Sequence, residues 1–234
     1  MSLQFSCFVT GTDTEIGKTL ISATLLQLLV KNGLQSIGMK PIAAGVTQHD
    51  GITSNDDIDA LTAASNMIFP RHFTTPYLLK APAAPHLAAN DEGVEISVDH
   101  IVDCYQTLAA SAQAVVVEGV GGFCVPLSAD TDTADLAERL NLPVIMVVGM
   151  RLGCLNHALL TAAAIHSRKL TLAGWVANCV SPSMLYPEEN IDTLRRRLDA
   201  PWIGTVPPLQ APSAANAAPY LEPARIAGWP TFLA

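Results

Sequence analysis

Charged residues are scarce in this chain, and basic residues are the scarcer kind. Lys, Arg, Asp and Glu make up 15% of the 234 residues, and 13 basic residues face 21 acidic ones, for a formal net charge of -8. Without a basic excess, a protein does not bind phosphate backbones or anionic membranes non-specifically. The single basic run, Arg195–Arg197, is interpreted as a solvated helix face. We therefore expect neither a nucleic-acid partner nor a membrane partner.

The chain also lacks paired cysteines and long apolar stretches. Its five cysteines are scattered and form no Cys-x-x-Cys pair, so neither a disulfide framework nor a zinc site is indicated. No apolar run approaches the length of a membrane span. The N-terminal residues Met1–Phe5 lack the basic region of a signal peptide. Together these absences predict a cytoplasmic protein.

Apolar residues are abundant, at half of the chain, and they fall into alternating strand-like and helix-like runs. The strand-like runs are apolar throughout, which is typical of parallel strands covered by helices on both faces. The helix-like runs repeat Leu at helical spacing. The predicted strands are 5–10, 36–39, 114–117, 143–148 and 172–177, and the clearest predicted helices are 18–32 and 156–167.

This alternation predicts an α/β fold with a doubly wound, mainly parallel sheet, of the P-loop NTPase type. There is no internal repeat and no low-complexity linker, so we expect one P-loop α/β domain over residues 1–234. Residues 70–95 and the stretch from Pro207 onward lack periodicity. They are interpreted as loops over the sheet.

The strongest motif is the segment Gly11–Thr19, GTDTEIGKT, which follows a predicted strand and precedes a predicted helix. In that context, backbone N–H groups and a helix N-terminus bind the phosphates of a nucleoside triphosphate. Lys18 would reach the β- and γ-phosphates, and the Thr19 hydroxyl would bind Mg²⁺. The motif departs from the usual P-loop because five residues, not four, separate Gly11 from Gly17.

Two acidic residues complete a candidate magnesium site with Thr19. Glu118 ends an apolar strand, at the sheet edge where α/β proteins bind ligands. Asp57, in the cluster Asn55–Asp57, is the second candidate. Mg²⁺ takes few carboxylates together with phosphate oxygens and water. The alternative for the Asn55–Asp57 cluster is a helix cap.

Lys40 follows the second predicted strand and precedes Pro41. On its position alone, a solvated lysine at a strand end is favoured. A second lysine facing a transferred phosphoryl group would, however, stabilise the charge that develops in the transition state.

Five segments, in order, resemble those of the dethiobiotin synthetases. They are the modified P-loop of residues 10–19, GMKPIAAG at 38–45, VEGVGG at 117–122, LGCLNHA at 152–158 and GWVAN at 174–178. The resemblance extends from the first strand to about Pro208. It implies an ATP- and Mg²⁺-dependent ligase of biotin biosynthesis. In that reaction 7,8-diaminononanoate and CO₂ form dethiobiotin through a carbamate and a carbamic-phosphoric anhydride.

The resemblance also implies residue roles. Lys40, Lys18 and Thr14 would act on the carbamate and the transferred phosphoryl group, and Thr19, Asp57 and Glu118 would hold the metal. The implied ATP-binding residues are Glu15, Ile16, Gly17, Lys18, Thr19, Leu20, Asp57, Glu118, Gly119, Val120, Gly121, Asn178, Cys179, Pro207, Pro208 and Leu209. The implied substrate-binding residues are Thr14, Lys40, Ala44, Gly153, Cys154, Leu155, Asn156 and Asn190.

The resemblance further implies a homodimer, in which Gly153–Asn156 of one subunit reach the substrate carboxylate bound by the neighbouring subunit. Two positions depart from the expected pattern: Ala44 stands where a serine is expected, and Asn190 where a tyrosine is expected, although Tyr186 lies nearby.

Two alternatives remain at this point. A MinD/ParA-like ATPase switch would share the fold, but such switches usually carry a signature lysine early in the P-loop, where this chain has Thr12-Asp13. The departures at Ala44 and Asn190 also leave open an inactive, nucleotide-binding paralogue.

Overall fold

The computed structural model describes residues 2–49, 52–181 and 183–230 of the chain. The last four residues of the segment that begins at Pro207 thus lie outside the described part. In chain order the elements are β1 (Phe5–Gly11), α1 (Lys18–Lys31), β2 (Ser36–Met39), β3 (Ile42–Ala44), β4 (Thr47–His49), β5 (Ile52–Ser54), α2 (Asp56–Ala64), α3 (Arg71–Thr74), β6 (Tyr77–Leu79), α4 (Pro85–Asp91), α5 (Val98–Ser111), β7 (Ala114–Glu118), α6 (Thr133–Leu140), β8 (Val144–Gly149), α7 (Cys154–Ser167), β9 (Leu172–Asn178), α8 (Pro187–Arg197), β10 (Trp202–Val206) and α9 (Ala214–Ala217).

Six of these strands form one parallel sheet in the order β10-β9-β8-β1-β7-β2. The order reverses on the two sides of β1, as in a doubly wound sheet. The crevice at such a reversal is the general ligand site of open α/β sheets. The predicted fold class is therefore confirmed.

Helices cover both faces of the sheet, because successive strand residues point to opposite sides. In β7, Val115 and Val117 belong to the apolar cluster that contains α5, α6, α7 and α8. Ala114 and Val116 belong to the cluster that contains α1. All four strand residues are fully buried. This two-sided burial explains why the strands are apolar throughout rather than alternating.

The predicted element bounds are largely confirmed, with small shifts. Strand β1 extends to Gly11, and α1 ends at Lys31 before Gly33, which has a φ of +81°. Helix α7 begins at Cys154, two residues earlier than predicted, with Gly153 as its N-cap. The basic run Arg195–Arg197 lies exposed at the end of α8, as expected.

The two segments that were predicted to be loops contain short regular elements. Residues 70–95 contain α3, β6 and α4, and β6 pairs in parallel with β3. The segment after Pro207 is mostly irregular but includes α9 and two single turns of 3₁₀ helix. Strand β10 was not predicted, because Gly204 and Thr205 interrupt its apolar run. The single-domain assignment of residues 1–234 stays a prediction.

In the part of the chain that the structure covers, none of the helices combines the length and apolar character that crossing a bilayer requires.

The edge strand β10 depends on a close backbone approach at Gly204. A Cβ atom added there would lie 2.0 Å from the Tyr220 carbonyl oxygen, and Gly204 bridges to Leu221. A Cβ atom at Gly174 would instead meet the Cδ1 atom of Ile203 at 2.6 Å. The obstacle at Gly204 is a backbone atom, whereas at Gly174 the atoms closer than 3.0 Å belong to the Ile203 side chain and the nearest backbone atom, the Pro201 carbonyl oxygen, lies at 3.2 Å.

We therefore expect Gly204→Ala to lower the free energy of unfolding by about 1–3 kcal/mol, as overpacking against fixed atoms does. Gly174→Ala, the matched control, should cost less. Urea unfolding of both variants measures the difference. Equal losses would contradict the backbone explanation.

Candidate active site

The phosphate-binding loop lies between β1 and α1, as predicted. Gly17 is the N-cap of α1, with a φ of +85°, and no side chain caps the helix. A Cβ atom at Gly17 would lie 2.2 Å from Nδ2 of Asn178, so this position requires glycine. An uncapped helix N-terminus leaves its N–H groups and its partial positive charge for an anion.

Lys18 is the first residue of α1, and its side chain folds back along the loop. The ammonium group donates to the Asp13 carbonyl oxygen at 2.9 Å, and the residue is only 7% exposed. Burial, with a smaller contribution from the nearby charge of Lys40, lowers the pKa of Lys18 to about 8. A bound phosphate would stabilise the charged form of this lysine.

A buried ion cluster lies next to the loop. Lys40 Nζ donates to Glu118 Oε1 at 2.6 Å and to the Gly119 carbonyl oxygen at 3.2 Å, and lies 2.7 Å from Asp57 Oδ2. The Thr19 hydroxyl lies 2.6 Å from Asp57 Oδ1 and 2.8 Å from Glu118 Oε1. Four elements meet here: the ends of β2 and β7 and the first turns of α1 and α2.

The surroundings of Lys40 contradict its interpretation as a solvated strand-end lysine, since the residue is 3% exposed and Glu118 is fully buried. Burial alone would lower the pKa of Lys40, but the charges of Glu118 and Asp57 outweigh it and raise that pKa. Burial would likewise raise the pKa of Asp57, but Lys40 and the Thr19 hydroxyl lower it. Lys40 and Asp57 are therefore both charged at neutral pH.

The helix-cap interpretation of the Asn55–Asp57 cluster is confirmed for Asn55, whereas the magnesium-ligand interpretation of Asp57 stays a prediction. The Asn55 side chain caps α2 by accepting from the backbone N–H groups of Asp57 and Ile58. The Asp57 side chain points to Lys40 and Thr19 instead.

The oxygens of Thr19, Asp57 and Glu118 fit a magnesium ion. They converge beside the phosphate loop, and Glu118 Oε2 is buried without a hydrogen-bond partner. A buried carboxylate oxygen without a partner is costly. Mg²⁺ prefers one or two carboxylates together with phosphate oxygens and water, and the two carboxylates and the hydroxyl group here would supply the protein part of that donor set.

The loop and the ion cluster line one cavity of about 940 Å³. The predicted site residues on its wall are Thr14, Glu15, Gly17, Lys18, Thr19, Lys40, Ala44, Asp57, Glu118, Val120 and Gly121. The wall also includes residues without a predicted role, namely Gly45, Val46, Thr47, Asn55, Asp56, Pro82, Ala83, Ala84, Pro85 and Val125. Residues 82–85, which form an apolar part of this wall, lie within residues 70–95, the segment interpreted from the sequence as a loop.

Several predicted ATP-binding residues lie beside this cavity rather than on its wall. Asn178 Nδ2 donates to the Ile16 carbonyl oxygen at 2.8 Å, so the end of β9 contacts the phosphate loop. Cys179 N–H donates to the Val206 carbonyl oxygen, which places Pro207, Pro208 and Leu209 at the same edge of the sheet. The side chains of Ile16 and Leu20 pack in the apolar core, and Gly119 lies against the Phe8 ring.

The remaining predicted substrate-binding residues are not on the cavity wall. Gly153–Asn156 form the start of α7, where Gly153 and Asn156 are exposed and Cys154 is buried. This helix also lacks a side-chain cap at its N-terminus. Asn190 lies in α8, and its amide group donates to the Tyr186 carbonyl oxygen. Within one chain, therefore, these residues do not line the cavity, although Arg151, two residues before Gly153, forms an ion pair with Asp13 of the phosphate loop.

Comparison with known proteins identifies the family. A family model described as an AAA domain matches residues 6–216. A protein of Janthinobacterium sp. (strain Marseille), named ATP-dependent dethiobiotin synthetase BioD, is 55% identical over 234 residues, with 98% of this chain and 99% of the relative covered. The chain belongs to the dethiobiotin synthetase family. The resemblance stated from the sequence motifs is thereby confirmed, and with it the use of ATP.

Solved structures of proteins from other families share the fold of this member of the dethiobiotin synthetase family. The septum site-determining protein MinD complexed with Mg-ADP, from Pyrococcus horikoshii OT3, is 14% identical with a TM-score of 0.55, covering 88% of this chain and 82% of that chain. A ParA family ATPase from Chlorobium tepidum TLS is 15% identical with a TM-score of 0.53, covering 89% and 85%. At identities this low, the similarity to MinD and ParA shows the fold alone. The alternative of a MinD/ParA-like ATPase switch is not favoured, because the 55% identical relative is a dethiobiotin synthetase.

The pKa of Lys18 leads to a prediction about nucleotide binding. Near pH 8 about half of the Lys18 side chains are neutral, and a bound phosphate group raises the pKa. Binding of ADP at pH 8 should therefore take up about half a proton. Calorimetry in buffers of different ionisation enthalpy measures this number. In Lys18→Arg, whose guanidinium stays charged, the uptake should disappear, and an unchanged uptake there would contradict the assignment.

Proposed function

We propose that the protein is an ATP-dependent dethiobiotin synthase whose reaction takes place in the 940 Å³ cavity. The observation that carries the proposal is the arrangement of a phosphate loop, two lysines and two carboxylates on one cavity wall, in a chain of this family. The reaction converts 7,8-diaminononanoate, CO₂ and ATP to dethiobiotin, ADP and phosphate. It closes the ureido ring in biotin biosynthesis.

The proposed chemistry requires no protein nucleophile. One substrate amine takes up CO₂ as a carbamate, the γ-phosphoryl group passes to a carbamate oxygen, and the second amine displaces phosphate as the ring closes. Catalysis would then rest on positioning and on charge stabilisation. Lys18, Lys40 and Thr14, which share the cavity wall, are the proposed catalytic residues.

Lys40 suits this role because its cation is held rigidly. Two carboxylates and a carbonyl oxygen fix the ammonium group, so little reorganisation is needed when negative charge develops nearby. Lys18 and the uncapped start of α1 are assigned to the phosphates of ATP. Asn178, Cys179 and Pro207–Leu209 are assigned to the adenine side, because β9 and β10 end next to the loop.

Thr19, Asp57 and Glu118 are the proposed magnesium ligands. Bound Mg²⁺ would neutralise charge on the β- and γ-phosphates.

The substrate assignments extend to a second subunit. Thr14, Lys40 and Ala44, on the cavity wall, are assigned to the diamine end, whereas Gly153–Asn156 and Asn190 do not line the cavity of their own chain. In a homodimer, the uncapped N-terminus of α7 would reach the substrate carboxylate of the partner's site. Leu152 and Leu160, near that terminus, are 98% and 63% exposed, and exposed leucines are typical of an interface.

A cytoplasmic location is part of the proposal. All five cysteines are free, which is typical of proteins from reducing compartments.

The activity prediction is specific. In bicarbonate buffer with MgATP, ADP release should depend on 7,8-diaminononanoate, and mass spectrometry should detect dethiobiotin. Lys40→Met should lower kcat by about a hundredfold or more, as expected when a transition-state charge contact is lost. Lys31→Ala, which removes an exposed lysine at the far end of α1, is the matched control and should retain full activity.

The same experiment separates the alternatives. A rate of ADP release that does not depend on the diamine would favour an ATPase switch. Tight ATP binding without any ADP release would favour an inactive paralogue. Either result would refute the proposed synthase.

The dimer is tested at Leu152 and Leu160. The double variant Leu152→Asp/Leu160→Asp should sediment as a monomer and lose turnover, because two charges would be buried in the interface. Ile68→Asp, at an apolar residue that is 99% exposed, should leave the sedimentation unchanged. A wild-type protein that sediments as a monomer would refute the assembly.

A further inference from the structure

Asn55 lies where the two halves of the cavity wall meet. It precedes α2, it is 9% exposed, and its side chain forms part of the wall. On one side is Asp57, in the ion cluster with Lys40 and Thr19. On the other side is the segment Ala44–Gly45 after β3. Asn55 thus separates the metal-binding region from the region assigned to the diamine.

The oxygen of the Asn55 side chain determines how α2 begins. Oδ1 accepts from the backbone N–H groups of Asp57 at 3.2 Å and Ile58 at 3.3 Å. Because Asp57 lies in this first turn, the cap also sets the position of its carboxylate. Those carboxylate oxygens lie 2.7 Å from Lys40 Nζ and 2.6 Å from Thr19 Oγ1. The oxygen of Asn55 therefore acts on the metal side of the cavity.

The nitrogen of the same amide holds the opposite segment. Nδ2 donates to the Gly45 carbonyl oxygen at 2.6 Å. Gly45 has a φ of +84°, its N–H donates to the Leu79 carbonyl oxygen, and a Cβ atom there would lie 3.1 Å from Cβ of Pro82. The Ala44–Gly45 segment thus lies between Pro82 and Asn55 and contacts both. Its neighbour Ala44 has no polar side-chain atom, so the backbone alone can place it.

Asparagine is the residue that can perform both tasks at this position. Asp and Ser also cap helices, but neither has an amide donor for the Gly45 carbonyl oxygen.

We propose that Asn55 is a positioning residue, which fixes the Asp57 carboxylate through its oxygen and the Ala44–Gly45 segment through its nitrogen. One planar amide group then holds both the carboxylate at the proposed metal site and the segment assigned to the diamine. The inference rests on the proposed function, because the diamine is assigned to the Ala44 side. It predicts that the two roles can be separated by substitution.

Three variants separate them. Asn55→Ser keeps an acceptor for the cap and loses the donor to Gly45. Asn55→Asp keeps a strong cap but places a carboxylate oxygen against the Gly45 carbonyl oxygen, whereas Asn55→Ala loses both contacts. Ser97→Ala removes the N-cap of α5, whose residues are not on the cavity wall, and is the matched control for the loss of a cap alone.

The measurements are the KM for 7,8-diaminononanoate, kcat, the Tm, and Mn²⁺ binding to the ADP complex by electron paramagnetic resonance. Asn55→Ser should raise the diamine KM about fivefold, the effect of one neutral hydrogen bond, and Asn55→Asp should raise it further. In both, Mn²⁺ affinity should stay within about twofold of wild type. Asn55→Ala should weaken Mn²⁺ binding about fivefold as well. Ser97→Ala should lower the Tm without changing KM or Mn²⁺ affinity.

The outcomes are distinguishable. If Asn55→Ser and Asn55→Asp leave the diamine KM unchanged, or if all three variants behave like Ser97→Ala, the positioning role is refuted. If wild-type ADP release does not depend on the diamine, the proposed function fails and the diamine half of this inference fails with it. Equal Mn²⁺ affinity of Asn55→Ala and Asn55→Ser would then refute the metal half.

Discussion

A single buried cation, the ammonium group of Lys40, organises the cavity. It joins a strand end, β7, to a helix start, α2, through the carboxylates of Glu118 and Asp57. Removing the Lys40 charge would leave the fully buried Glu118 carboxylate without its partner cation, which typically costs several kcal/mol. The cluster therefore connects these elements structurally and also forms part of the proposed catalytic site, beside the phosphate loop.

The sheet explains why these groups meet at all. In a parallel sheet every strand ends at the same edge, and β1, β2 and β7 deliver the phosphate loop, Lys40 and Glu118 to neighbouring positions there. Helix α2 then closes the arrangement from the side. The chain thus builds the site from residues far apart in sequence, and Lys40 and Glu118 are held by strands whose residues are all buried.

Much of this could be predicted from the sequence, because the decisive patterns are local. The phosphate loop and Glu118 are each recognisable from a few adjacent residues, and two-sided burial makes the central strands apolar throughout. Lys40 was less tractable, since its burial depends on partners 17 and 78 residues away. Residues 82–85 and strand β10 show no periodic pattern of apolar residues. Short elements that are positioned by backbone contacts do not require such a pattern. The role of Asn55 depends on Gly45, a contact that sequence spacing does not reveal.

The order of the strands has a consequence for how the protein is made. The central strand β1 pairs with β7 and β8, and Ser6 faces Val115. The phosphate loop emerges early from the ribosome, yet the strands that flank β1 are synthesised more than a hundred residues later. Pairings of such long range form slowly. A nascent chain stalled before Glu118 would hence carry the complete phosphate-loop sequence without the sheet that shapes it, and its exposed β1 would need protection from aggregation.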